Sequence, residues 1–259
     1  MLEKNALYVY GIVKNGPNFR YRGIGINEEK VYTLKEGEFT ALVHDCEEKP
    51  YIPEDPNKIK ELLIVHNKVL NKAIEDFKGV IPLSFNTIIK KGENSPEDNL
   101  KKWLNDNKER LERIWDKIKG KKEYGIRIYY DKNKLVQEAS SNAEIKEIEE
   151  AQQGKSEGLS YLLQQKTKSK INEITYDKIN QFKQQFYSDI SKLADDIKVN
   201  ISKISINEER DLLCSLSVLV SQQKIDEIKQ ILEKRGNGFS FQFAGPFAPY
   251  SFVENGTKH

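Results

Sequence analysis

The sequence predicts an α+β protein of two domains. An N-terminal module of sheet and helix covers 1–120, and a C-terminal ferredoxin-like (βαββαβ) domain with a long helical insertion covers 121–259. Three observations lead there. Segments of the second half succeed one another as strand, helix, strand, strand, helix, strand, which is the ferredoxin-like order. The first half shows several short strand-like segments and two helices with apolar stripes. Between them Lys119-Gly120-Lys121-Lys122 closes a helix with positive charge at its negative end, and this basic stop marks the boundary.

Residues 6–13 are rich in β-branched and aromatic side chains and read as a strand, followed by a turn at Asn15-Gly16-Pro17-Asn18. Residues 21–26, 31–34 and 39–44 read as further short strands. Pro50, Pro53 and Pro56 keep 47–56 out of regular structure. Ile59, Leu62, Leu63, His66, Val69, Leu70, Ala73, Ile74 and Phe77 then recur at helical spacing and form one apolar stripe, which Gly79 ends. Residues 80–85 read as a short strand that Pro82 places at an edge or a bulge. Ser95, as cap, and Pro96, at the first helical position, open a helix carrying Leu100, Trp103, Leu104, Leu111, Ile114, Trp115 and Ile118 on one side.

In the second half, 123–130 reads as a strand. A long polar helical stretch follows over 133–197, interrupted near Gly154 and Gly158, with a thin stripe that suggests a solvated helical hairpin. Residues 198–206 and 211–220 read as strands around a turn at 207–209. Residues 223–235 form a helix with Ile225, Ile228, Ile231 and Leu232 inward, stopped by Gly236-Asn237-Gly238.

Hydrophobic residues at 37% and charged residues at 32% describe a soluble, highly charged globular chain rather than a disordered one. Lys and Arg number 42 against 40 Asp and Glu, too even a balance for a binder of nucleic-acid phosphates. No run approaches a membrane-spanning length, and the N-terminus lacks a signal-peptide core, so a cytoplasmic protein without membrane attachment is expected. Cys46 and Cys214 read as two reduced thiols, although counting alone leaves a disulfide open.

Catalysis finds no foothold. His44, His66 and His259 stand far apart with no metal-ligand spacing. Gly23-Ile24-Gly25 meets Glu28 where a third glycine is required, and there is no phosphate-loop lysine and no nucleophile elbow. His44 and Cys46 would share a strand face, which makes a thiolate pair conceivable. Glu144, Glu147, Glu149 and Glu150, compensated by Lys146 and Lys155, read as a solvated helix face. The chain is therefore expected to be no enzyme and to carry no cofactor and no metal. His66, on its apolar stripe, reads as a core or interdomain histidine satisfied by one hydrogen bond.

The C-terminus carries the most distinctive pattern. Phe239, Phe241 and Phe243 alternate with Ser240, Gln242 and Ala244, placing three rings on one face of a strand. Pro246 and Pro249 lack the N–H that a ladder needs, so the strand is expected to stop there and continue as a stiff, extended arm. That arm presents Phe247, Tyr250 and Phe252 at little entropic cost, and it packs either on its own fold or on a partner.

Gly245-Pro246-Phe247-Ala248-Pro249-Tyr250-Ser251-Phe252 resembles the C-terminal signature of the gas vesicle protein GvpF/GvpL family, usually Gly-Pro-Trp-Pro-Pro-Tyr-Ser-Phe. Other segments fall in line with that family. Leu7 to Val13 resembles its opening Tyr-Val-Tyr strand, and His66-Asn67-Lys68-Val69-Leu70 its His-x-x-Val-Leu helix. Val80-Ile81-Pro82-Leu83-Ser84-Phe85-Asn86-Thr87 is similar to its Leu-Pro-Leu-Arg-Phe-Gly-Thr element, with Ser84 for Arg and Asn86 for Gly. Glu123 to Tyr129 resembles Glu-Trp-Gly-Val-Lys-Val-Tyr, and Gly158 to Leu162 resembles Gly-x-x-Tyr-Leu. The resemblance implies a non-enzymatic accessory or minor structural protein of gas vesicles that contacts the small hydrophobic shell protein GvpA, and possible contacts with other vesicle accessory proteins. On physical grounds, Pro246, Phe247, Pro249, Tyr250 and Phe252, with His66, are expected to form a protein-binding region or a clamp between the domains. A small-molecule-sensing regulatory module is the alternative that the ferredoxin-like order alone suggests.

Overall fold

The computed structural model describes residues 4–16, 20–21, 24–152, 154–200, 211–236 and 238–253. Pro17, Asn18, Gly23, Asn237, His259, the turn at 207–209 and most of the strand expected over 198–206 lie outside them. The chain divides into two compact units. One draws its described residues from 1–124, 219–222 and 245–259, the other from 125–218 and 223–244.

The first unit is built on β1 (Ala6–Lys14), β2 (Arg20–Tyr21), β3 (Val31–Glu36), β4 (Phe39–Cys46), β5 (Ile81–Pro82) and β6 (Ile88–Lys90). They form one sheet in the order β2-β3-β4-β1-β5, with β6 also pairing β1. The pairs are antiparallel. β1 has β4 along one side and β5 and β6 along the other, so all but its last residue are buried. A strand buried on both faces reads as a continuous apolar run, as 6–13 does. The β1–β4 register slips between Val9, opposite Val43, and Gly11, opposite Leu42, which leaves Tyr10 bulged. Gly11 is required by close approach: a Cβ there would stand 2.8 Å from the Ile81 carbonyl oxygen and from methyls of Leu70 and Val80.

Helix α1 (Pro56–Phe77) starts at Asp55, whose carboxylate accepts the Asn57 N–H, and buries His66, Val69, Leu70, Ala73 and Ile74. The stripe is narrower than its spacing suggests, because Leu63 is exposed and Ile59 and Leu62 are half-buried. Ser95 caps the next helix as expected, accepting the Asp98 N–H at 3.1 Å. The single helix expected beyond it is in fact α2 (Pro96–Asp106) and α3 (Lys108–Ile118). Asn107 breaks it with φ −101° and ψ 10°, its side-chain amide donating to the Trp103 carbonyl. Two further expectations are corrected. The strand over 80–85 shrinks to β5, with β6 unforeseen, and Ile26 belongs to a short 3-10 turn over Ile26–Glu28 rather than to a strand.

The second sheet runs β10-β7-β9-β8, from β7 (Lys122–Tyr130), β8 (Asp196–Val199), β9 (Asp211–Val220) and β10 (Phe239–Phe247). Residues 122–124, 219–220 and 245–247 of these strands count with the first unit. Between β7 and β8 stand α4 (Lys132–Ser140), α5 (Ala143–Gln152) and α6 (Glu157–Ser191), and between β9 and β10 stands α7 (Gln222–Lys234). Gly154 does separate two helices, but Gly158 lies in the first turn of α6, behind its N-cap Ser156. The other break is at Asn142, whose side chain accepts the Glu144 N–H. Of the 35 residues of α6 only Thr175, Phe186 and Ile190 are buried. Phe182 and Phe186 meet Phe239 at ring separations of 4.9 and 5.0 Å. Lys170 pairs with Glu144 and Lys178 with Glu138, tying the exposed helix to α5 and α4.

The end of the last strand also differs from expectation. β10 continues through Pro246 to Phe247. It is an edge strand, where a missing N–H costs least. No helix among the described residues is long and apolar enough to cross a membrane.

Candidate functional site

The residues singled out at the C-terminus and on α1 meet in the first unit. His66 is 1% exposed, and both of its ring nitrogens are engaged. Nδ1 lies 2.8 Å from the hydroxyl of Tyr8, on β1, and Nε2 lies 2.8 Å from the hydroxyl of Tyr250, on the arm. Tyr8 also accepts the Asn86 N–H at 3.3 Å, and the direction of each histidine–tyrosine bond follows the imidazole tautomer. The histidine thus has two partners where the sequence suggested one.

A second histidine extends the cluster. His44, fully buried on β4, stacks on Tyr8 at 5.0 Å and 19°, and its Nε2 lies 3.0 Å from the Tyr51 hydroxyl. Its Nδ1 is buried without a hydrogen-bond partner among the described residues. Asn86 locks Tyr51 from both sides, accepting its N–H at 2.8 Å and donating to its carbonyl at 3.2 Å. Asn86 sits at φ +66°, in the left-handed region that glycine and asparagine adopt most readily. This accounts for an asparagine at the position where the resembled motif has glycine.

Burial sets the protonation of the whole cluster. It lowers the pKa of His66 and of His44 to about 4, so both imidazoles are neutral near pH 7. It also pushes the hydroxyls of Tyr8, Tyr10, Tyr51 and Tyr250 well above the usual tyrosine range. A neutral, hydrogen-bonded network of this kind holds geometry. The thiolate pair considered for His44 and Cys46 is not formed: His44 turns to Tyr51, and burial pushes the Cys46 thiol up to about 11. Cys46 and Cys214 are free thiols. Among the described residues no three His, Cys, Asp or Glu side chains gather as a metal site.

The arm is fixed at further points along its length. Ala248 and Phe252, each 1% exposed, join the core that contains β1 and α1, and the Lys117 ammonium lies 5.7 Å from the Phe252 ring centre. Ser251 donates both its N–H, at 2.9 Å, and its hydroxyl, at 2.5 Å, to the Glu123 carboxylate. Gly245 holds φ +118°, and a Cβ there would stand 2.9 Å from the Glu123 carbonyl oxygen. Pro249 is buried, and its carbonyl accepts the N–H groups of Phe252 and Val253. Pro246 and Phe247 differ from the rest in facing solvent, Phe247 with 45% of its surface exposed.

The sequence reading missed Tyr8, Tyr51, Asn86, Glu123 and Ser251 as parts of this arrangement. Asn86, Glu123 and Ser251 stood in the motifs that carry the family resemblance, and the alternation of Tyr8 and Tyr10 on β1 was a further local signal.

Residues 6–254 match the family model described as gas vesicle synthesis protein GvpL/GvpF. The chain is 23% identical over 261 residues to gas vesicle protein L1 of Halobacterium salinarum, covering 96% of this chain and 90% of that protein. It is 22% identical over 254 residues to gas vesicle protein F of Dolichospermum flosaquae, covering 96% and 97%. Its fold is similar to the crystal structure of the gas vesicle protein GvpF from Anabaena sp. PCC7120, with a TM-score of 0.73 at 22% identity, covering 96% of this chain and 98% of that one. The family model spans nearly the whole chain, and on that match the protein belongs to the GvpL/GvpF family of gas vesicle synthesis proteins.

Proposed function

We propose that this protein binds the hydrophobic shell protein GvpA and assists gas vesicle assembly as a non-catalytic accessory or minor structural component, working in the cytoplasm and at the vesicle. The family match over 6–254 carries the reading. The arm residues Pro246, Phe247, Pro249, Tyr250 and Phe252, with His66 behind them, are the proposed binding region. A subunit that is apolar on one face needs cover before it assembles, and aromatic groups on a rigid backbone supply it at low entropic cost. Phe247 suits that task, being exposed while Ala248, Pro249 and Phe252 beside it are buried.

The test is co-expression of the tagged protein with its cognate shell protein, followed by recovery from the soluble fraction. A defined complex containing soluble shell protein is the expected result. Its absence, with both proteins folded and present, would remove the mechanism and direct the same assay to the other vesicle accessory proteins.

A further inference from the structure

The two edges of the second sheet differ in kind. β8 carries Asp196 and Lys198 over its described residues, charges of the kind by which edge strands avoid unwanted pairing. β10 occupies the other edge, with β7 on one side and no strand on the other among the described residues. Its stretch 239–244, Phe-Ser-Phe-Gln-Phe-Ala, has no charged side chain. The Asp131 N–H donates to the Gly238 carbonyl at 3.0 Å, and Gly125 faces Ala244. In that antiparallel register residues 238, 240, 242 and 244 bond to β7, so the backbone N–H and C=O groups of Phe239, Phe241 and Phe243 point to the open edge. The three rings are only half-buried: Phe239 and Phe241 lean on Phe186, and Phe243 lies beneath the Lys229 ammonium.

We propose that this edge pairs antiparallel with the same strand of a second copy of the chain, about a two-fold axis at Phe241. The strand is self-complementary. Phe239 of one copy then stands opposite Phe243 of the other on the ring-bearing face, and Ser240 opposite Gln242 on the polar face. Because 239–244 is uncharged, the copies meet without like-charge repulsion, and the outward backbone groups of the three phenylalanines find partners. The pairing covers the exposed parts of the rings and joins the two sheets into one. It does not depend on shell-protein binding.

Sedimentation across a wide range of protein concentration tests it. The wild-type chain is expected to show a reversible monomer–dimer equilibrium. A Ser240→Lys, Gln242→Lys double variant and a Ser240→Glu, Gln242→Glu double variant each place like charges across the pair and should weaken the dimer about ten-fold or more. Mixing the two variants should restore it as a heterodimer, and thermal melts of each verify folding. A wild-type chain that stays monomeric throughout overturns the proposal, as does a dimer that survives in both charged variants. The same variants enter the shell-protein co-expression assay, where recovery should be unchanged. Loss of recovery from variants of a monomeric wild-type chain would assign this edge to the shell subunit instead.

Discussion

The hydroxyl of Tyr250 lies 2.8 Å from Nε2 of His66, a residue 184 positions earlier, and His66 Nδ1 passes the chain of bonds on to Tyr8. The C-terminal arm is thereby tied to β1, an inner strand of the first sheet, through one neutral imidazole. Ser251 adds a second tie, to Glu123.

Removing the Tyr250 hydroxyl leaves a buried imidazole nitrogen without its hydrogen-bond partner. Tyr250→Phe is expected to lower stability by about 1–3 kcal/mol, read from the urea midpoint with an unchanged slope. An unaltered midpoint would show that the bond contributes nothing net.

The two histidines make stability depend on acidity. Their folded pKa values, about 4, lie below the 6.5 of an exposed histidine, so between those limits the unfolded chain binds protons that the folded chain refuses. Their contribution is therefore full above pH 6.5 and declines as the pH falls towards 4, by an amount on the order of 3 kcal/mol for each histidine. Chemical unfolding followed from neutral pH downward should show this slope, and His44→Phe should flatten it. A profile that stays level between pH 6.5 and 4.5 contradicts the burial argument.

Gly245 combines a positive φ with backbone contact to Glu123. Gly245→Ala is expected to cost roughly 2–4 kcal/mol. Hydrogen exchange should show the arm amides losing protection along with the loss of stability, whereas protection equal to wild type would mean that the backbone shifts without strain.

Phe247 and Phe252 separate binding from packing. Phe252→Ala empties a fully buried site and should cost about 3–5 kcal/mol. Phe247→Ala removes an exposed ring, so its melting curve should stay within about 0.5 kcal/mol of wild type. If the arm is the contact surface, that same variant recovers less soluble shell protein on co-expression; full recovery would leave the arm a purely internal brace.

Much of the fold was legible because it follows local rules. The β-rich run at 6–13, the stripe through Val69, Leu70 and Ala73, the Ser95 cap and the strand Asp211–Val220 each declare themselves within a few residues. The misses have local competitors or distant causes. Asn107 interrupts an apolar pattern that itself continues unbroken across it. β6 is three residues long and exists because β1 offers it an open side. Pro246 remains in a strand because, among the described residues, that strand has a neighbour on one side alone.

By itself the sequence determined the mixed helix and sheet class, most of the elements, the placing of His66 on a buried helix face and, through its terminal proline-aromatic motif, the family resemblance. Periodicity, capping and turn chemistry act over one or two turns of chain, so they can be read there. Tertiary structure alone decided that His66 joins Tyr8, 58 residues before it, to Tyr250, 184 residues after it, and that Glu123 receives Ser251. Those choices come from burial: once the first sheet closes over the imidazole, both of its nitrogens need partners, and only the folded chain brings the two hydroxyls to them.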